Sequence, residues 1–316
     1  MKRLSKYISP FLLVMAAMIW GFAFSAQKAA EDVPPLTLGA ARSLFAAIFL
    51  IFVVLVFDSS FNTGRRLFFG KTAIDLTRVE VVGGIICGAV LALASFFQQF
   101  GISRGTDAGK ASFITALYVV LVPIYALALK KRAPINVWLS MPFAVFGFYL
   151  LCITEGFSIV LSDLFVLICA LIFPIHILVI DKFSPMCDGI RMSMVQFLTA
   201  TVINTALALV FESPISFSVI GNDILPILFL GIGSSGIAYT LQIIGQRGTN
   251  PAAASILMSL ESVFGVIGSA VLLSEKMSER EYIGCAVVFV AVILSQLNFE
   301  SKRNRIDVPS LQENNE

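Results

Sequence analysis

"RGTDAGKASFITAL", Arg104–Leu117, and "RGTNPAAASILMSL", Arg247–Leu260, are closely similar phrases at a constant offset of 143 residues. Gly105, Thr106, Ala111, Ser112 and Leu117 in the first match Gly248, Thr249, Ala254, Ser255 and Leu260 in the second. An apolar run precedes each copy and holds a glutamine, Gln98 in one case and Gln242 in the other when one gap is allowed. Such self-similarity points to an internal structural repeat. The nature of the repeated unit depends on the medium it is built for.

That medium is apolar. The 316-residue chain is 58% hydrophobic and 13% charged, with a mean hydropathy of +0.91. An ordinary soluble domain carries about 25% charged residues, so this chain cannot cover a globular surface with polar groups. Its 28 phenylalanines suit lipid-facing or tightly packed helices. A formal charge of +2, with no basic stripe interleaved with aromatics, excludes nucleic acid as a partner. The five cysteines are scattered through apolar runs, which argues against a disulfide framework or a zinc site. The opening "MKRLSKYISPFLLVMAAMIWGFAFSA" has a basic start like a signal peptide. Its apolar part is too long for that and has many counterparts downstream, so it reads as a retained first span.

Ten such runs follow one another: Ile8–Gln27, Pro35–Phe57, Val81–Ser103, Ala111–Leu129, Ala133–Thr154, Leu164–Ile180, Met192–Phe211, Ile224–Gln246, Thr249–Ser274 and Tyr282–Phe299. Each is near the ~20 residues a helix needs to cross a bilayer. They are too long, and lack the alternation, for barrel strands. With the N-terminus inside, sixteen lysines and arginines fall in cytoplasmic segments and five on the other side, with Arg42 inside a span. That bias puts both termini in the cytoplasm. The fourth run then corresponds to the ninth and the third to the eighth. Five spans per copy is an odd number, so the second copy enters the membrane with opposite polarity, the arrangement of many secondary transporters.

The motifs resemble those of the drug/metabolite transporter superfamily, in its EamA group. "MIWGFAFSAQK" carries the family's tryptophan–glycine pair as Trp20 and Gly21. "SLESVFGVIGSAVLLSEKMSEREYIGCAVVFVAVILS" supplies the ninth-helix glutamate, Glu261, and a second at the helix end, Glu275. The family commonly has proline after the first glutamate and glycine before the second, where this chain has Ser262 and Ser274. The resemblance covers roughly residues 8–299. It implies an all-α membrane protein of ten transmembrane helices in two inverted EamA repeats, residues 8–155 and 161–299, around a central cavity. A polar tail, residues 300–316, follows. The resemblance also implies outward transport of a small metabolite.

Glu261 sits within "PAAASILMSLESVFGVIGSAVLL", Pro251–Leu273. An acidic side chain at a helix centre costs about 2.5–3.5 kcal/mol on insertion scales. Binding a proton or a substrate amine is one justification, and pinning helices together by hydrogen bonds is the other. The matching position in the first repeat is Tyr118, so one half alone supplies an acid. Trp20 is a candidate to stack on a substrate, or else packs in the core. Arg42 either snorkels outward or holds a substrate carboxylate. His176, the one histidine, follows Pro174, whose missing N–H opens a kink. It is read as a packing residue ahead of a proton relay. Gln98, Gln99, Gln242 and Asn204 suit hydrogen bonding between helices or recognition, with Gln98 and Gln242 favoured by their repeat-related places. Lys110 is expected on the surface.

The chain contains no GxxxxGK[ST] loop for ATP, no Ser–His–Asp set and no metal cluster. An enzyme is therefore not expected, and no cofactor. The sparse buried polar residues favour an occluding cavity over a channel. The sequence leads to a secondary transporter in the cell membrane, monomeric or homodimeric, with an amino-acid-like substrate and protons as candidate coupling ion. A non-transporting receptor or scaffold on the same fold is the alternative.

Overall fold

A computed structural model describes residues 7–60, 76–152, 160–215, 217–272 and 277–297. Every regular element among them is helical. In chain order these are α1 (Ile8–Ala29), α2 (Pro35–Ser60), α3 (Arg78–Ser103), α4 (Ala108–Ala116), α5 (Tyr118–Ala128), α6 (Ile135–Cys152), α7 (Leu161–Phe183) and α8 (Gly189–Phe211). The short α9 (Phe217–Asn222) and α10 (Ile224–Leu228) lead into a π-helix, Phe229–Ala238. Then follow α11 (Tyr239–Gly245), α12 (Pro251–Met258), α13 (Glu261–Leu272) and α14 (Glu279–Gln296).

Eight helical stretches among the described residues are long and apolar enough to cross a membrane. Ile135–Leu151 is apolar but shorter, and α14 opens with Glu279, Arg280 and Glu281, which dilute its hydropathy. The bundle is apolar on its outside: Phe52, Val202 and Phe211 are 65%, 69% and 74% exposed, while Gln196, Ser193 and His176 are wholly buried. Lipid tails solvate such a surface, and the polar groups pair inside.

Two of the expected spans are not single helices. The Ala111–Leu129 run is divided at Leu117 between α4 and α5, and the Thr249–Ser274 run at Ser259–Leu260 between α12 and α13. Both joints tighten the helix instead of unwinding it. Leu117 donates its N–H to the Ile114 carbonyl and Val120 donates to Leu117. Leu260 donates to Leu257, and the Ser259 hydroxyl bonds back to the Ile256 carbonyl at 2.7 Å. These three-residue bonds turn the chain more sharply than an α-helix does.

The copied phrase begins at a turn in both places. Gly105 and Gly248 have φ of +105° and +78°, a region glycine enters without steric cost. At the first turn, Thr106 N–H reaches the Gly101 carbonyl and Gly105 N–H the Ile102 carbonyl, which closes the C-terminus of α3. At the second, Asn250 caps α12 through Ala252 N–H, with Pro251 in the first turn.

Packing runs across the sequence halves. α3 lies on α7 and α8, α2 on α8 and the π-helix, α1 on α13, α11 and the π-helix, and α6 on α14. Glu212, just past α8, accepts the N–H groups of Leu36 and Thr37 at 2.8 and 2.7 Å, which satisfies orphan donors at the start of α2. Glycines set the closest approaches. A Cβ on Gly147 in α6 would lie 3.1 Å from the Gly284 carbonyl of α14, and one on Gly284 would lie 3.0 Å from the Gly147 carbonyl. α1 and α13 meet similarly at Gly21.

Candidate functional site

Six side chains singled out in the sequence line one cavity. They are Trp20 from α1, Arg42 from α2, Gln98 from α3, Tyr118 from α5, Gln242 from α11 and Glu261 from α13.

The helix joints deliver two of these groups. Tyr118 and Glu261 are the first residues after the two breaks, each opening the second half of a broken span. Glu261 is 5% exposed and lies in the first turn of α13, at the positive end of that helix. Its Oε1 has no hydrogen-bond partner among the described residues, and Tyr118 is its neighbour across the cavity wall. Behind them the two broken spans interlock through the Ser112 and Ser262 hydroxyls, 2.9 Å apart. Ser262, in the place of the family's usual proline, makes that contact.

Arg42 does not snorkel. It is 8% exposed, and its Nε and Nη2 donate to the hydroxyls of Ser235 and Ser234 at 3.1 and 3.3 Å. A guanidinium has five N–H donors, and these two bonds to neutral serines use two of them on a side chain that lines the cavity. Trp20 donates its Nε1–H to the Ser234 carbonyl at 3.1 Å and stacks at a tilt on Tyr239, with centroids 4.8 Å apart. Gln27 donates to Gln98 and Gln98 to Thr115, both at 3.0 Å, which fixes the Gln98 amide in one orientation. The Gln242 Oε1 is buried without a partner among the described residues.

Other expectations fall differently. His176 does not line the cavity. It contacts Gln196 at 3.1 Å and meets Tyr239 edge-on at 5.7 Å, so it sits behind the wall. Gln99 bonds the Gln27 carbonyl. Lys110 is not a free surface residue: it is half-buried and pairs with Asp163 at 2.5 Å, because Asp163 at the start of α7 is itself sealed from solvent. Thr106 donates to the other oxygen of that carboxylate. Glu275 and Ser274 lie outside the described residues. Tyr239, Gln27, Ser234 and Thr115 line the cavity without having been singled out. Tyr239 gave no signal, since an aromatic in an apolar run reads as packing.

No group of three His, Cys, Asp or Glu among the described residues is placed to hold a metal ion. The cavity carries a guanidinium, a carboxyl group, an aromatic pair and three side-chain amides. These groups lie around one shared space, with the guanidinium and the carboxyl on different helices.

The chain is similar to known proteins. The model of the EamA-like transporter family matches it twice, over residues 8–153 and 160–297. It is 29% identical over 293 residues to an uncharacterized transporter of Archaeoglobus fulgidus, an alignment covering 90% of this chain and 84% of that one. A protein of known crystal structure shares the fold with a TM-score of 0.71 at 18% identity, covering 91% of this chain and 96% of the other.

Proposed function

The chain belongs to the EamA-like transporter family, and from that premise we propose that it exports a small zwitterionic, amino-acid-like metabolite by alternating access. The observation that carries this reading is that Arg42 and Glu261 line the same cavity. A guanidinium matches a substrate carboxylate, and a carboxylate matches an ammonium. Trp20 and Tyr239 offer an aromatic face between them. Glu261 takes either the substrate ammonium or a proton, and that competition couples the two fluxes.

The transport cycle uses two five-helix repeats, residues 8–155 and 161–299, inserted with opposite polarity as ten spans with both termini in the cytoplasm of the cell membrane. Three features support this: the double family match, the left-handed glycines Gly105 and Gly248, and the helix joints at Leu117 and Leu260. Exchanging the conformations of the two halves opens the site to the other side.

The test is counterflow in proteoliposomes loaded with each of the twenty amino acids, without ATP. Saturable exchange that is reduced by Arg42→Gln and by Glu261→Gln is expected. No exchange with any amino acid, or a strict need for ATP hydrolysis by an added subunit, would overturn the proposal.

A further inference from the structure

Both recognition groups on the α1–α2 side of the cavity are mounted on the same π-helical turn. The Ser234 carbonyl accepts Trp20 Nε1–H, and the Ser234 and Ser235 hydroxyls accept Arg42 Nη2–H and Nε–H. A π-helix closes i→i+5 bonds and so holds more residues per turn than an α-helix. Neighbouring residues therefore point closer to one direction, and two consecutive serines can reach one guanidinium. In an α-helix successive side chains diverge by about 100°. The glycines bring the partner within reach: a Cβ on Gly231 would stand 3.1 Å from the Arg42 carbonyl. Ser235 is fully buried and does not line the cavity, so it acts only through Arg42.

We propose that Ser235, with Ser234 beside it, is a positioning residue for anion recognition. By holding Nε and one Nη2 donor against the π-turn, the pair aims the remaining guanidinium N–H groups at a ligand carboxylate. The assignment rests on the reading of Arg42 as the carboxylate site and deepens it. It makes selectivity for a carboxylate a property of the π-turn, separate from the ammonium side at Glu261.

Three probes of similar shape separate the possibilities: L-phenylalanine, its decarboxylated amine phenethylamine, and hydrocinnamate, which has the carboxylate without the ammonium. Their dissociation constants are measured by calorimetry on purified wild type, Ser235→Ala and Ser234→Ala. The alanine variants keep the Ser234 carbonyl, so Trp20 retains its anchor. Monodispersity and melting temperature establish that each variant is folded, and if one is not, the other carries the test. Ser235→Ala is expected to weaken L-phenylalanine and hydrocinnamate about tenfold, the scale of one hydrogen bond to a charged group, with phenethylamine unchanged. A uniform loss for all three probes, or no loss for any, overturns the proposal and makes Ser235 structural. Wild type that binds phenethylamine but neither carboxylate also overturns it. If hydrocinnamate binds and responds to the variants while L-phenylalanine does not bind, the positioning role stands and the zwitterion reading fails. Binding of none of the three ends both.

Discussion

Replacing Gly21 by alanine perturbs the contact that brings Trp20 and Glu261 together. A Cβ at Gly21 would stand 2.6 Å from Phe264 Cβ, 2.7 Å from the Glu261 carbonyl oxygen and 2.7 Å from Gly265 N. Non-bonded heavy atoms rest about 3.5–4.0 Å apart, so α1 and α13 must separate by about 1 Å. Two of the three obstacles are backbone atoms, which have no other rotamer to adopt. Overpacking of this kind costs roughly 1–3 kcal/mol, offset in part by the ~1 kcal/mol by which alanine exceeds glycine in a helix. Gly265 lies on the same interface and provides the control. A Cβ there meets Gly21 O at 3.5 Å and Gly21 Cα at 4.0 Å, which is ordinary contact. Purified Gly21→Ala should therefore melt several degrees below wild type, and Gly265→Ala at or above it. Exchange by Gly21→Ala should fall about 100-fold, because a 1 Å misplacement of positioning groups has that scale of effect. Equal melting temperatures for the two variants would refute the steric argument.

Glu261→Gln keeps size and hydrogen-bonding capacity but cannot take a proton. Its exchange across a pH series should be flat or absent, and a rate and profile matching wild type would leave Glu261 a structural residue. The Lys110–Asp163 pair joins α4 to α7, so a double-mutant cycle of Lys110→Met and Asp163→Asn on thermal stability should give a coupling of about 1–3 kcal/mol; additive effects would mean that the pair contributes nothing. Single cysteines placed between Arg65 and Arg78 should be labelled by an impermeant maleimide only after the membrane is opened. Labelling on intact cells would invert the proposed orientation.

The bundle was legible because lipid imposes a simple code. A helix in hydrocarbon must be apolar along its whole length, and that length is fixed by the bilayer, so runs such as Val81–Ser103 and Met192–Phe211 stand out without periodicity. The breaks at Leu117 and Ser259–Leu260 were not legible. Neither contains glycine or proline, and leucine has no preference for the tightened turn it adopts there. The π-helix was hidden similarly in "FLGIGSSGIA", whose glycines and serines read equally well as helix packing. Along the cavity, polar residues in apolar runs were visible, as with Glu261, Gln98 and Gln242. Tyr239 was not, and His176 drew attention by its chemistry though its neighbours keep it behind the wall. Lys110 looked solvated because its partner, Asp163, lies far away in the chain.

The approach of α6 to α14 has a consequence for genetics. A bulky side chain at one position of an interface is often offset by trimming the side chain it strikes. At Gly147 the first atom struck is Val288 Cγ2 at 2.6 Å, and at Gly284 it is Leu151 Cγ at 2.9 Å, with main-chain atoms of the facing helix next at 3.0–3.1 Å. Damage at Gly147 is therefore relieved in part by trimming Val288, and damage at Gly284 by trimming Leu151, while the main chain behind them sets a limit that no substitution moves. Second-site revertants of Gly147→Ala are expected at Val288 and not at Gly284, which has no side chain left to trim, so these two positions face each other without being able to compensate one another.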